Sequence, residues 1–388
     1  MVAEAEPDAE FISAAEEIRP TLAAERADGE QRRALTDAAV RAMDEAGVFR
    51  AWVPRRFGGS EHGLETMMAA TAEVCRGDPS AGWLALILGS GDWLVGLFPD
   101  AAQEDVFGDD PATRICQVLT PKAEAVPVDG GWRVSGRWAP ASGCLHSQWA
   151  MLGVTLPDDA AFALVPMNEL TVHDTWFTLG MRATGSNLLS GEDLFVPEHR
   201  VLRRSPALRG EFPRVRNDSP RYRVALVPTL ITFLIAPMVA MAEQALEHVV
   251  SRSGERGVPF TSYRAQRDST AFQLAVAEAA TKIDVSRLIA RDNAASLEGH
   301  ARAGTHPEAL ERARLRRNAA HAVRQCREAV DELVSAVGAG AVAESDPLES
   351  LLRDIQTASR HAIAHPSANA EVWARELLGI DPNISQMI

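Results

Sequence analysis

The chain has 388 residues, 46% hydrophobic and 24% charged, and carries a formal net charge of −14. Its length allows two or three domains or one large composite, and its composition is that of a chain able to bury a core. The acidic balance excludes nucleic-acid binding, which needs concentrated Lys and Arg, although the local stretch Arg203 to Arg223 is basic enough to hold a small anion.

The first ten residues are acidic and lack the basic and apolar regions of a signal peptide, so a soluble, cytoplasmic protein is expected. From Asp8 to Phe49 apolar residues recur every three or four positions (Ile12, Ala15, Ile18, Leu22, then Leu35, Ala39, Met43). That spacing predicts two amphipathic helices separated at Asp28-Gly29. Val53 to Gly59 reads as a turn, and Thr66 to Cys75 as a further helix. Asp78-Pro79-Ser80 then starts a helix that is apolar all round, through Trp83, Leu88 and Trp93 to Phe98, and so must be buried.

Between Pro111 and Val201 the period changes to that of strands: Arg114–Leu119, Trp132–Trp138, Trp149–Val154, Ala161–Val165, Leu170–Trp176 and Asn187–Val196. The stretch Trp132 to Trp149 has the form of a hairpin around Pro140, Ser142 and Gly143, whose small residues let a flat ligand approach the backbone. A Pro- and Arg-rich connector, Arg203 to Arg221, follows. The remainder predicts helices over 222–254, 264–299, 307–337 and 347–365, a four-helix bundle, with a short helix at Ala370–Leu378. Val224 to Met241 is the most apolar segment and reads as a buried helix. Four cysteines (Cys75, Cys116, Cys144, Cys326), widely spaced and without a CxxC pair, predict reduced thiols and no metal framework.

The expected organisation is therefore an α+β multidomain chain: a helical domain over 1–110, a β-domain over 111–205 and a helical bundle over 206–388. This order, with Asp78-Pro79-Ser80, Asp129-Gly130-Gly131-Trp132, Leu179-Gly180-Met181-Arg182 and Arg353-Asp354 in sequence, resembles the acyl-CoA dehydrogenase fold. The resemblance implies an N-terminal helical domain, a central β-barrel or sandwich and a C-terminal four-helix bundle. The dehydrogenase glutamate context is replaced, with Ala362 at its place and His361 beside it. Ser135 to His146 and Arg353 to His361 are instead similar to the two-component flavin-dependent monooxygenases (group D).

That resemblance implies an oxygenase component that receives reduced FMN or FAD from a separate flavin reductase. It would use O2 through a C4a-hydroperoxyflavin to hydroxylate an aromatic or polycyclic substrate, or to N-hydroxylate an amine. It further implies a homotetramer, a dimer of dimers. Ser142 matches the family serine beside flavin N5, and His361 the family histidine over the flavin; both are the expected catalytic residues. Cofactor contacts are expected from Gln117, Thr120, Ser142, Trp176, Arg264, Gly338 and Gly340, with Arg264 at the start of a bundle helix. His146 is a weaker candidate. His361 and His365 stand at metal-ligand spacing if one helix carries both, but no carboxylate motif accompanies them and no metal is expected. Gly91 stands where phenol-hydroxylating relatives carry a histidine, which points to a larger aromatic, an indole, a polyketide or an amine. Val337 to Ala343 mimics a dinucleotide fingerprint but lacks a preceding strand. The alternatives are an acyl-CoA dehydrogenase-like oxidoreductase and a non-catalytic flavin-fold binding protein.

Overall fold

A computed structural model describes residues 7–213 and 219–388. The first six residues, and the centre of the Pro- and Arg-rich connector, lie outside the described residues. The chain forms two compact units. One holds the residues up to Phe177, Arg182–Leu226 and Leu297–Pro307; the other holds Thr178–Met181, Val227–Ser296 and Glu308–Ile388.

The first unit begins with helices α1 (Ala9–Glu17), α2 (Arg19–Arg32) and α3 (Asp37–Glu45). Asp28-Gly29 does not separate two helices, because both residues lie inside α2. The break falls at Arg33, which caps α2 in the left-handed region at φ 57°. Glycine's freedom was not needed there; a cap by an ordinary residue leaves no sequence signal. Helix α4 (Leu64–Gly77) precedes α5 (Pro79–Val95), which Asp78 caps by accepting a hydrogen bond from Ser80 N. Pro79 suits the first turn of α5, where its missing N–H costs nothing. Of the α5 residues, all but Ile87 are buried, as the all-round apolar pattern requires. The short α6 (Asp100–Phe107), absent from the sequence reading, follows.

Eight strands then form two four-stranded sheets. One has the order β1 (Ile115–Val118), β4 (Trp149–Thr155), β5 (Ala160–Pro166), β8 (Val201–Arg203); the other β2 (Ala125–Val128), β3 (Gly131–Ala141), β7 (Asn187–Pro197), β6 (Thr171–His173). Trp132 to Trp149 is therefore not a hairpin. Strand β3 pairs with β7 in one sheet and β4 with β1 and β5 in the other, so the turn at Ser142 carries the chain from sheet to sheet. The three tryptophans are packing residues with satisfied polar ends or stacked faces. Trp138 is fully buried and donates to Gly153 O at 2.9 Å, Trp132 donates to Glu198 Oε2 at 2.7 Å, and Trp149 lies under the Arg200 guanidinium. After β8 comes the short α7 (Arg204–Leu208).

The second unit is helical: α8 (Leu226–Phe233), α9 (Ile235–Arg252), most of α10 (Thr270–Ala303), α11 (Ala309–Val337), α12 (Pro347–Ala358) and α13 (Pro366–Leu378). The stretch Leu226–Arg252 is long and apolar enough to cross a membrane, with a mean hydropathy of 1.8, but 89% of that window is buried inside the protein. Within this unit, Asn293 of α10 donates to Leu315 O at 2.9 Å and to Thr232 Oγ1 at 3.1 Å.

Candidate functional site

In the first unit the Ser142 turn is held from three sides. Gly143, at φ 77°, donates its N–H to Thr184 O at 3.0 Å, and a Cβ there would sit 2.9 Å from Leu88 of α5. The Ser142 hydroxyl accepts from Trp83 Nε1 of α5 at 3.3 Å and lies 2.7 Å from Ser186 Oγ. Ser186 Oγ lies 2.7 Å from Thr184 Oγ1 in turn. The oxygen of the turn serine is thus held in place by its surroundings.

Gln117 reaches the same helix. Its amide donates to Ile87 O at 2.8 Å and Ser90 Oγ at 2.5 Å, while its buried Oε1 has no hydrogen-bond partner among the described residues. Trp176 is half-buried, and its backbone N–H donates to Asn187 Oδ1 at 3.1 Å; Asn187 pairs with Ala141, next to Ser142. These three expected residues therefore border one region of the first unit. Thr120 lies past the end of β1, in an exposed bend, rather than on the strand. His146 closes a turn whose carbonyl accepts from Arg114 Nε at 2.6 Å. Burial, then the Arg114 charge, lowers the His146 pKa, and its buried Nε2 has no hydrogen-bond partner among the described residues.

Sequence reading missed Asp92. It is 1% exposed within α5, its Oδ1 has no hydrogen-bond partner among the described residues, and burial raises its pKa well above the usual carboxylate value against the opposing Arg114 charge. An acid in an all-apolar helix was the available signal, because a charge so placed must be paired or neutralised. Gly91 beside it opens no substrate space: a Cβ would lie 2.5 Å from Ile115 O, so β1 backbone fills the position and glycine is required by helix–strand packing.

In the second unit the two distant motifs prove to be partners. Met181 N donates to Asp354 Oδ1 at 2.6 Å, Gly180 N to Thr357 Oγ1 at 3.0 Å, and Arg353 Nη1 to Leu179 O at 3.0 Å. Gly180 packs so closely on the Arg353 carbonyl that a side chain has no room. His361 lies beyond α12, capping the turn Ala362–Ala364, not on a helix. His365 begins α13 and accepts from Ala368 N at 3.3 Å, so the two histidines do not share a helical face. No metal-ligand group occurs among the described residues. His361 is half-buried as a residue, and desolvation of its ring pushes its pKa down to about 4. It is a neutral imidazole at neutral pH.

Arg264 is exposed and lies in the loop before α10, not at its start. Two residues on, Gln266 donates to Val337 O at 3.1 Å, which brings this loop to Gly338 and Gly340. Arg256, unremarked in the sequence, crowds Gly340. His361 stands at the other end of α12 from this group, about 18 Å along a helix of twelve residues. In the connector, Arg203 is paired with Asp158, Arg209 with Glu211 and Arg221 with Glu298, which spends these cations on carboxylates rather than on an anion.

Residues 12–105 match the family described as "Acyl-CoA dehydrogenase, N-terminal domain", and residues 232–366 the family described as "Acyl-CoA dehydrogenase, C-terminal domain". The flavin-dependent monooxygenase, oxygenase subunit HsaA, of Rhodococcus jostii (strain RHA1) is 33% identical over 356 residues, 90% of this chain and 93% of that protein. The chain belongs to the flavin-dependent monooxygenases. The FADH(2)-dependent resorcinol hydroxylase, oxygenase component, of Rhizobium sp. (strain MTP-10005) is 31% identical over 91% of this chain and 90% of its own length. The structure of XiaF from Streptomyces sp. in complex with FADH2 and glycerol superposes with a TM-score of 0.90 at 32% identity, over 97% of each chain. As a two-component monooxygenase of the acyl-CoA dehydrogenase fold, the protein uses reduced flavin and O2 and depends on a separate flavin reductase. The residues fit such a group: Gln117, on β1 and hydrogen-bonded to the α5 helix that also fixes Ser142, presents a buried acceptor with no partner among the described residues.

Proposed function

We propose that the protein uses reduced FMN or FADH2 and O2 to hydroxylate an aromatic or polycyclic, natural-product-like substrate, or to N-hydroxylate an amine. Bound reduced flavin supplies the oxygen activation; the chain must hold it, orient it and keep water away. The observation that carries the reading is the Ser142 hydroxyl, fixed by the Trp83 N–H in a glycine turn on α5. Ser142 is assigned to flavin N5, Gln117 Oε1 to a flavin N–H donor, and the half-buried Trp176 to the ring face. Thr120 contributes, at most, backbone from its exposed bend. Arg264, Gly338 and Gly340 are assigned to the flavin phosphate of a neighbouring subunit, where a permanently charged planar cation suits an anion.

His361, neutral at pH 7, is assigned the uptake of a proton from the substrate hydroxyl or amine. Homologues acting on aromatic rings support an aromatic substrate. A homotetramer built as a dimer of dimers, working in the cytoplasm, completes the proposal. Anaerobic titration tests its first element: reduced FMN or FAD should bind more tightly than the oxidised form, and tight binding of the oxidised form alone would favour a dehydrogenase-like enzyme. Replacing His361 with alanine should abolish product formation while flavin binding persists.

A further inference from the structure

The hydroxyl chain behind Ser142 has a polarity that its neighbours control. The indole N–H of Trp83 can only donate, so it occupies one lone pair of Ser142 Oγ. Ser142 then has one proton and one lone pair left to divide between Ser186, at 2.7 Å, and whatever faces it. Ser186 is 3% exposed and Thr184 2% exposed, so the Ser186 hydroxyl has Ser142 and Thr184 as its two neighbours in the chain. The chain can run either way. With Ser142 donating to Ser186, and Ser186 to Thr184, Ser142 turns a lone pair outward and is an acceptor. With the direction reversed, Ser142 turns its proton outward and is a donor.

We infer that Ser186 is a positioning residue that sets the hydrogen-bond polarity of Ser142 toward flavin N5, which carries a proton in the reduced ring and a lone pair in the oxidised ring. The inference rests on the assignment of Ser142 to N5. The relay lets one serine match both redox states by hydroxyl rotation, with no heavy atom displaced. Loss of Ser186 leaves Ser142 with nothing to receive its proton, and the outward lone pair is no longer enforced.

The test uses flavin labelled with 15N at N5, bound to the full chain and observed by NMR in the reduced and oxidised states. Ser142→Ala and Ser186→Ala should both move the N5 resonance of bound reduced flavin in the same direction, Ser142→Ala further. The flavin dissociation constant should change by no more than about threefold for Ser186→Ala, the size of one modest hydrogen bond. A resonance moved by Ser142→Ala and untouched by Ser186→Ala would overturn the relay and leave Ser142 in place. A resonance untouched by either would remove Ser142 from N5, and the relay with it. Should Ser186→Ala fail to fold, Thr184→Val, which cuts the far end of the chain at nearly constant volume, carries the same test: a shift supports the relay and an unmoved resonance overturns it.

Discussion

At the scale of single residues, two buried titrating groups make stability depend on pH in opposite directions. Desolvation lowers His361 from 6.5 to about 4, so the unfolded chain takes up a proton at this site first as pH falls. The folded state therefore loses stability as pH drops through 6.5 toward about 4. A His361→Gln variant should lose less stability than wild type across that window in thermal melts; parallel curves would show that burial of His361 is not costly. Asp92 works the other way. Its folded pKa is raised above 3.8, so folding favours the protonated acid, and this contribution is lost as pH rises from the ordinary carboxylate range toward the folded value. The melting-temperature difference between Asp92→Asn and wild type should shift in the variant's favour from about pH 4 to about pH 8. A pH-independent difference would contradict a buried acid at this site.

His361 and Ser142 were singled out in the sequence through motifs that resemble those of a family, and their roles belong to the proposal. Asp92 was visible in the sequence only as a departure, because burial depends on what packs around α5, and neighbouring residues in sequence do not reveal it. The polarity chain through Ser186 was equally hidden: Ser142 and Ser186 are 44 residues apart and meet through the turn that Gly143 ties to Thr184.

At the scale of elements, three hydrogen bonds bind the segment Thr178–Met181 to α12. Removing the Asp354 carboxylate with Asp354→Ala leaves the Met181 N–H without its acceptor, which should cost about 1–3 kcal/mol in denaturant unfolding. A loss near zero would mean that water or a shifted carbonyl replaces it. On α5, Gly91→Ala pushes a methyl against the Ile115 carbonyl and should destabilise the protein by about 1–3 kcal/mol. A neutral result would show that β1 yields easily. Helices α5 and α11 were read from spacing with only their ends displaced, whereas the single helix expected over 222–254 divides at Leu234 into α8 and α9. Pairing was not legible. Alternation shows that β3 and β4 are strands, yet it does not say that they join different sheets, and the short strands β2 and β8 carry too few residues for a pattern. The end of α12 was also misplaced, by reading His361 and His365 into the helix that stops at Ala358.

At the scale of the whole molecule, the order of helices, strands and helices was legible from the change of hydrophobic period, since a shift from 3.6 to 2 and back marks fold class better than any single element. What the period leaves unread is chemistry, which the proposal assigns to a few side chains: Ser142, Gln117, Trp176, His361 and the Arg264–Gly340 group. The substrate is the part least constrained by these residues, because Gly91, the position that departs from phenol-hydroxylating relatives, is filled by strand backbone. The most direct measurement supplies the protein with reduced flavin from a separate reductase, 18O2 and a panel of aromatic and amine substrates, and follows the isotope by mass spectrometry. One 18O atom per product molecule, lost together with product in His361→Ala, is the predicted result. Product oxygen drawn from water, or substrate desaturated with no oxygen gained, would contradict a reduced-flavin monooxygenase.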